Sequence, residues 1–294
     1  MPARDHLLRW AALAAESVPQ DPLARRDPDY IREELEVLGF ALDGWFATKV
    51  DELEHLPDDP SLVVGTHNGG AVAPDMFALM VAFWRRFGVE RPAYGLAHDQ
   101  VFKIPMAGRW IGKLGAVPAH QRHARALLAR GATVLVYPGG DLDAFKPWEE
   151  RHDVKFGERT GFIRTALNAG VPIVPVVSVG AHETVRILTD GRELAQRLGL
   201  KQLFRIEVLP IMLCFPWGLA IGPIETHLPA PSKMRIRLLP PIDLAAHGFK
   251  KVIDDEGVCE ARDLVRDTMQ QALDQLVAEG DFGVTARLNA LGVK

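Results

Sequence analysis

A chain of 294 residues, 48% of them hydrophobic, is long enough for one large domain or two small ones around a sizeable core. Its 34 basic residues are outnumbered by 38 acidic ones, for a formal net charge of -4, and no long basic run occurs, which argues against nucleic acid as a partner. Two cysteines, Cys214 and Cys259, are too few for a disulfide framework or a metal cage, so both read as structural residues in a reducing interior.

The opening "MPARDHLLRWAALAAESVPQD" has an apolar stretch broken by Arg9 and shorter than a secretory core, so it predicts a short amphipathic helix and no export. Next, Ile31, Leu35, Leu38, Leu42 and Trp45 recur at helical spacing behind an Asp cap, predicting a helix over 29–47. Its apolar face must dock on its own domain or on a membrane.

From residue 61, short strand-like runs ("LVVGT", "AYGLA", "TVLVY", "VPIVPVVSVG", "MRIRLLP") alternate with helical stretches ("MFALMVAFWRRFG", "ARALLAR", "GFIRTALNAG"), which predicts an α/β sheet covered by helices. In such sheets reactive groups sit just past the carboxyl ends of strands. Thr165 to His182 and Val208 to Ile224 lack charged residues, yet neither reads as a good membrane span. The first suits a helix running into a buried strand. The second carries Pro210, Pro216 and Pro223, which predict an apolar loop or short helices, in the core or lying in a membrane interface. The tail repeats Leu264, Met269, Leu273 and Leu276 between charges, an amphipathic packing helix.

Two polar interruptions carry the candidate chemistry. In "SLVVGTHNGGAVAPDMFALM", His67 ends a strand, Asn68, Gly69 and Gly70 turn the chain, and Pro74 with Asp75 opens a helix. The glycines let the backbone fold Asp75 toward the imidazole, and a His held by a carboxylate is a general base. A cap and a turn residue are the plainer alternative on spacing alone. In "VLVYPGGDLDAFKPWEER", a second strand exits into Pro138, Gly139, Gly140, Asp141 and Asp143, where backbone N–H groups could hold a phosphate or an oxyanion. Two such exits in one sheet suggest a shared cleft. Between them, Lys103, Arg109, Lys113, Arg122 and Arg125 could serve an anionic cofactor or form a solvated face, while His120 with His123 is too thin a pair for a metal.

The order of strand-His-Gly-Asp-helix, then "LGAVPAHQRHARALLARGATVLVYPGG", then "AGVPIVPVVSVGAHE", then "PWGLAIGPIETHLPAPSKMRIRLLPPIDL", resembles the glycerolipid acyltransferase family over about residues 50–245. The resemblance implies an α/β fold of glycerol-3-phosphate acyltransferase type, a mixed sheet flanked by helices with amphipathic helices at both ends. It divides the chain into residues 1–50 (N-terminal amphipathic helices), 51–245 (catalytic domain) and 246–294 (C-terminal helical extension).

The resemblance further implies that His67 takes the proton of an acceptor hydroxyl, Asp75 steadies the imidazolium, and the oxygen attacks the thioester of acyl-CoA or acyl carrier protein. No tightly bound cofactor and no metal is implied. Acceptor or oxyanion contacts fall to Asn68, Gly69, Gly70, Pro138, Gly139, Gly140, Asp143 and Arg122, and donor or anion contacts to Lys103, Arg109 and Lys113. Met76, Phe77, Met80, Phe102 and Met106 are candidates for an acyl tunnel.

The motifs depart from the family pattern in three places. Seven residues, rather than four, separate His67 from Asp75. Gly139 stands where the family has Glu, and "GAVPAHQ" lacks the arginine that helps hold an acceptor phosphate, unless Arg122 replaces it. The leading acceptor is a lysophospholipid such as 1-acylglycerol 3-phosphate. The "PGG" form followed by Asp143 resembles the diacylglycerol-acyltransferase branch, so a neutral alcohol is the alternative. Such an enzyme would meet its lipid at the cytoplasmic face of the membrane, peripherally or monotopically, through the amino-terminal helices or 208–224 with Trp217. An α/β hydrolase lacks its Gly-x-Ser-x-Gly elbow, since Ser178 reads as a strand residue; a non-catalytic lipid-binding protein remains the rival.

Overall fold

Alternation of period 2 and period 3.6 sorts the chain into strands with two buried faces and helices that cover them. The computed structural model describes residues 13, 16–204, 206–222, 227–250 and 254–292. The predicted first helix lies almost wholly outside them. Helix α1 (Pro28–Gly44) starts where Asp27 accepts the Tyr30 N–H, so the expected Asp cap is made one turn before Ile31. Then follow β1 (Lys49–Asp51), β2 (Leu62–Gly65), α2 (Pro74–Phe87), β3 (Ala93–Ala97), α3 (Pro105–Lys113), β4 (Ala116–Pro118) and α4 (Gln121–Ala129). Next come β5 (Thr133–Val136), α5 (Gly140–Ala144), α6 (Gly161–Ala169), β6 (Ile173–Val179) and β7 (Arg186–Thr189). The remainder is α7 (Arg192–Arg197), α8 (Leu200–Phe204), β8 (Ile211–Cys214), β9 (Gly218–Ile221), β10 (Arg235–Leu238), α9 (Asp255–Glu279) and α10 (Gly283–Ala290).

The main sheet runs β1-β10-β6-β2-β5-β3-β4. It is parallel from β6 to β4, while β10 pairs antiparallel to β6 and carries β1 with it. The α/β class with a mixed, mainly parallel sheet flanked by helices is therefore the observed fold. In β2 the alternation is clear: Leu62 and Val64 join the core under α4, α6 and α9, and Val63 joins the opposite core under α1 and α2. Both cores extend to the chain's ends: Ile31 and Leu42 of α1 lie in the second, and Val258, Met269 and Leu276 of α9 in the first.

One element overturns its expectation. Residues 208–222, expected as loop or short helices, form the hairpin β8–β9, which pairs with β7 into a separate antiparallel sheet. The prolines sit just outside the strands, Pro210 before β8 and Pro216 in the turn, where no ladder N–H is needed. Residues 223 and 224 lie outside the described part. The inner face of this sheet, with Ile187, Met212, Cys214 and Ala220, packs on Leu142, Ala144 and Phe145 to make a third core. Cys214 is buried and Cys259 half-buried, both as free thiols. Among the described residues no helix is long and apolar enough to cross a membrane.

Met269 is fully buried at the centre of α9. Met269→Ala is expected to lower unfolding stability by about 2–5 kcal/mol in a urea titration, whereas a change at exposed Phe40 costs within about 0.5 kcal/mol.

Candidate active site

Three neighbouring parallel strands deliver one polar residue each to the same end of the sheet. The register pairs Gly65 of β2 with Val176 of β6, and Val64 with Val136 of β5, so Ser178, His67 and Tyr137 arrive side by side. His67 is the one residue of 61–70 that is not buried. Its ring stacks on Tyr137 with centroids 4.7 Å apart, its backbone N–H donates to Asp143 Oδ2 at 2.6 Å, and its Nδ1 is buried without a hydrogen-bond partner.

The two strand exits are tied to each other. Beyond the His67–Asp143 bond, Gly70 N–H donates to the Ala144 carbonyl at 3.2 Å, tying the loop after β2 to the helix after β5. Gly69 and Gly70 both take left-handed φ, as the turn requires. Asp75 is folded back as expected, but its partner differs. Asp75 Oδ2 accepts the backbone N–H of Asn68 at 3.0 Å and the Ser178 hydroxyl at 3.3 Å, and its Oδ1 accepts the Met76 N–H at 2.8 Å. No hydrogen bond joins it to His67. The longer loop places Asn68, not the imidazole, against the carboxylate.

Burial sets the protonation of both groups. Desolvation brings His67 down to about 4 against the pull of Asp143, so the ring is neutral near pH 7. Asp75, at a helix N-terminus that favours the anion, is nevertheless pushed up to about 7 by burial, which outweighs its hydrogen bonds from Asn68, Met76 and Ser178. Tyr137 is raised well above its ordinary value by burial and by Asp75, so it stays a phenol.

Several expected contact residues are structural instead. Asn68 is buried, and its side-chain amide donates to the Ser178 Oγ and carbonyl and to Thr66, so it braces β2 against β6 rather than facing an acceptor. Asp143 is fully buried, with Oδ2 on the His67 N–H and Oδ1 on Lys146 Nζ at 2.7 Å, so both oxygens are spent inside the protein. The Gly140 N–H is also spent, on the Tyr137 carbonyl at 3.0 Å, which removes it as an oxyanion donor. Arg159 clasps the Pro138 and Gly139 carbonyls from the other side at 3.2 and 2.6 Å while pairing with Asp141 and Glu207. Gly139 is glycine for a steric reason: a β-carbon there would collide with the Lys155 carbonyl oxygen and the Asp143 side chain.

The cationic candidates lie apart. Arg109 donates to the Leu13 carbonyl, and Lys113 bridges Glu16 and Asp27 under the Tyr30 ring, so both tie down the segment before α1 rather than facing the cleft. Lys103 is exposed after β3. Arg122 is exposed at the start of α4, at the same end of the sheet as His67 but three strands across, about 14 Å at the usual strand spacing. His120 pairs with Asp99 at 3.3 Å, and among the described residues no cluster of three or more metal-ligating side chains occurs. Of the tunnel candidates, Met80 lines an apolar pocket with Leu56, Leu79, Phe83 and Leu135, at the amino ends of the parallel strands. Met76 and Phe77 pack on the second core.

The sequence alone marks Ser178 only as a strand residue and does not single out Lys146 or Arg159. Each left a signal: a hydroxyl inside "VVSVG", a lysine three residues after Asp143 among apolar neighbours, and an arginine in the glycine-flanked "FGERTGF".

Residues 47–179 match the family model for acyltransferases. Over those residues the chain is similar to the acyltransferase family. An uncharacterised protein of Mycobacterium tuberculosis is 33% identical over 242 residues, 82% of this chain and 65% of that one. The DGAT1/2-independent enzyme synthesizing storage lipids of Homo sapiens is 29% identical over 173 residues, 58% of this chain and 51% of the enzyme. The chain thus spans a half to two thirds of the length of these relatives. The crystal structure of the 1-acyl-sn-glycerophosphate acyltransferase PlsC of Thermotoga maritima shares the fold, with a TM-score of 0.54 at 20% identity over 93% of this chain and 89% of that one.

Lys146→Met strands the Asp143 carboxylate without its cation. It is expected to cost roughly 3–5 kcal/mol of stability, much of it restored by Asp143→Asn in the same chain, as measured by denaturant titration of the two singles and the double.

Proposed function

We propose that this acyltransferase moves a fatty acyl group from a thioester, acyl-CoA or acyl carrier protein, to the hydroxyl of a neutral glycerolipid. The observation that carries the reading is a neutral, partly open His67 at the convergence of three strand ends, beside a buried carboxylate. A base must be unprotonated to act, and burial holds His67 in that state. Its imidazole takes the hydroxyl proton, the oxygen attacks the thioester carbonyl, and the thiol leaves with that proton. No covalent enzyme intermediate is required.

Asp143 and Asp141 supply the negative charge that favours the imidazolium, while Asp75 acts indirectly, its ionised carboxylate holding the Asn68 N–H and so the turn that carries His67. Charge supports the choice of a neutral acceptor. The groups acting on His67 are Asp143, Asp141 and Lys146, and Lys146 is neutralised by Asp143. Arg159, the cation on the neighbouring loop, is neutralised by Asp141 and Glu207. A phosphate monoester would find Lys146 and Arg159 already engaged by carboxylates, whereas an uncharged mono- or diacylglycerol needs no cation. The storage-lipid enzymes among the relatives agree with this choice. A lysophospholipid acceptor is the second reading, favoured by exposed Arg122 at the same end of the sheet.

Thiol release from palmitoyl-CoA is expected to depend on acceptor, with monoacylglycerol or diacylglycerol preferred over lysophosphatidate, and to fall roughly 100- to 10,000-fold in His67→Ala with the melting temperature unchanged. Equal release by the variant would remove the mechanism, and a lysophosphatidate preference would reverse the acceptor.

The pH dependence has a worked sign. Neutral His67 requires pH above about 4, and ionised Asp75 requires pH above about 7 because its carboxyl holds its proton below that. The kcat/KM profile is therefore expected to rise through pH 7, and Asp75→Asn to flatten that rise and lower the plateau. A wild-type profile flat from pH 5 to 9 would contradict the role given to Asp75.

A further inference from the structure

We infer that the outer face of the β7–β8–β9 sheet is the surface on which the protein docks to an anionic lipid bilayer. The inference rests on the lipid-acceptor reading above and names where that acceptor is met.

An antiparallel sheet with one face on a core ordinarily turns a polar face to water. This one is apolar on both. Met212, Cys214 and Ala220 point inward to the third core, while the cross-strand pair Leu213 and Leu219, with Ile221, points outward. Leu219 and Ile221 are 63% and 61% exposed, and the turn adds Phe215 and Trp217 at 66% and 56%. Residues 208–222 contain no Asp, Glu, Lys or Arg, in a chain that is 24% charged. On β9 this face ends in the last strand of its sheet, the kind of edge that soluble proteins blunt with charge. Left in water, such a patch is a liability; seated in a headgroup layer, its aliphatic residues and an interfacial Trp gain what burial would otherwise give them.

The charge around the patch selects the occupant. Among the described residues of 186–222, four basic side chains (Arg186, Arg192, Arg197, Lys201) stand against three acidic (Asp190, Glu193, Glu207), opposite in sign to the chain as a whole. Arg186 stands across from Leu213, and Arg197 is exposed on α7 next to exposed Leu194 and Leu198. A two-fold copy of the chain would bring this basic rim against itself, whereas anionic headgroups complement it.

The surface is also continuous with the catalytic loops. Ala71, four residues after His67, packs on the same third core, and Phe145 and Val185 of that core lie against Gly70. Glu207, just before the hairpin, donates its N–H to Asp141 at 2.6 Å beside the Pro-Gly-Gly loop. The helix α1, with Ile31 and Leu42 buried in the second core, is bound to its own domain on its apolar stripe.

The test is co-sedimentation with vesicles of equimolar phosphatidylcholine and phosphatidylglycerol, on the full chain. Wild type is expected to bind, and Trp217→Ser/Leu219→Ser/Ile221→Ser to bind roughly 100-fold more weakly, three partly buried apolar side chains being lost. Phe40→Ser, on exposed α1, is expected to bind within about twofold of wild type. If the triple variant melts lower than wild type, Leu219→Lys is read in its place and must show a weakening of at least about tenfold. Three results would overturn the proposal: vesicle binding by the triple variant equal to wild type, no binding by wild type, or a triple variant whose mass by light scattering halves, which would make the face a contact between two copies. The acyl-transfer reading fails separately. Hairpin-dependent vesicle binding with no transfer to any acceptor would support the docking surface and discard the proposed reaction.

Discussion

The Asp143 carboxylate is the constraint on which the site depends. It is fully buried, and it bridges the backbone N–H of His67 and the ammonium of Lys146 at 2.6 and 2.7 Å. Through it the loop after β2 is bound to the helix after β5, so the imidazole's position is set from a residue 76 places further along the chain. A buried ion pair gives little net stability but a large penalty for being broken, and so it acts as a register pin more than as a source of stability. Gly139 belongs to the same constraint. The carboxylate fits only because no side chain stands at that position, which accounts physically for glycine where the family has Glu.

The second feature is the distribution of protons between His67 and Asp75. Both are buried enough for desolvation to dominate, and it moves them in opposite directions, to about 4 and about 7. The resting site thus avoids a charge on either group at mildly acid pH. In the proposed reaction the imidazole gains positive charge only when a hydroxyl gives up its proton, where a preorganised carboxylate is of most use. Asn68 and Ser178 hold that carboxylate in place, which makes them positioning residues and not acceptor contacts.

Much of the fold was legible in the sequence because the signals are local. The strands at 62–65, 93–97, 133–136, 173–179 and 235–238 and the helices at 28–44, 74–87 and 255–279 follow from apolar period and from caps such as Asp27. The hairpin at 208–222 was not legible. Its prolines look like helix and strand breakers until one sees that they flank the ladder, and its outward leucines defy the alternation that marks a half-buried strand. The cations at Arg109 and Lys113 misled for a related reason: a lysine's spacing says nothing about whether a ligand or a carboxylate from another segment meets it.

By itself, the sequence determined that two polar interruptions end strands of an α/β sheet, and that His67 and Asp75 lie in one of them. Strand exits, turns and helix starts are encoded within a few residues, so a single chain segment suffices to read them. Only the tertiary structure decided which group Asp75 touches, that Asp143 and Lys146 face inward, and that among the described residues the outer side of 208–222 is exposed. Those outcomes depend on partners up to 110 residues apart, such as Asn68 with Ser178, and on desolvation, which exists only once the layers have closed.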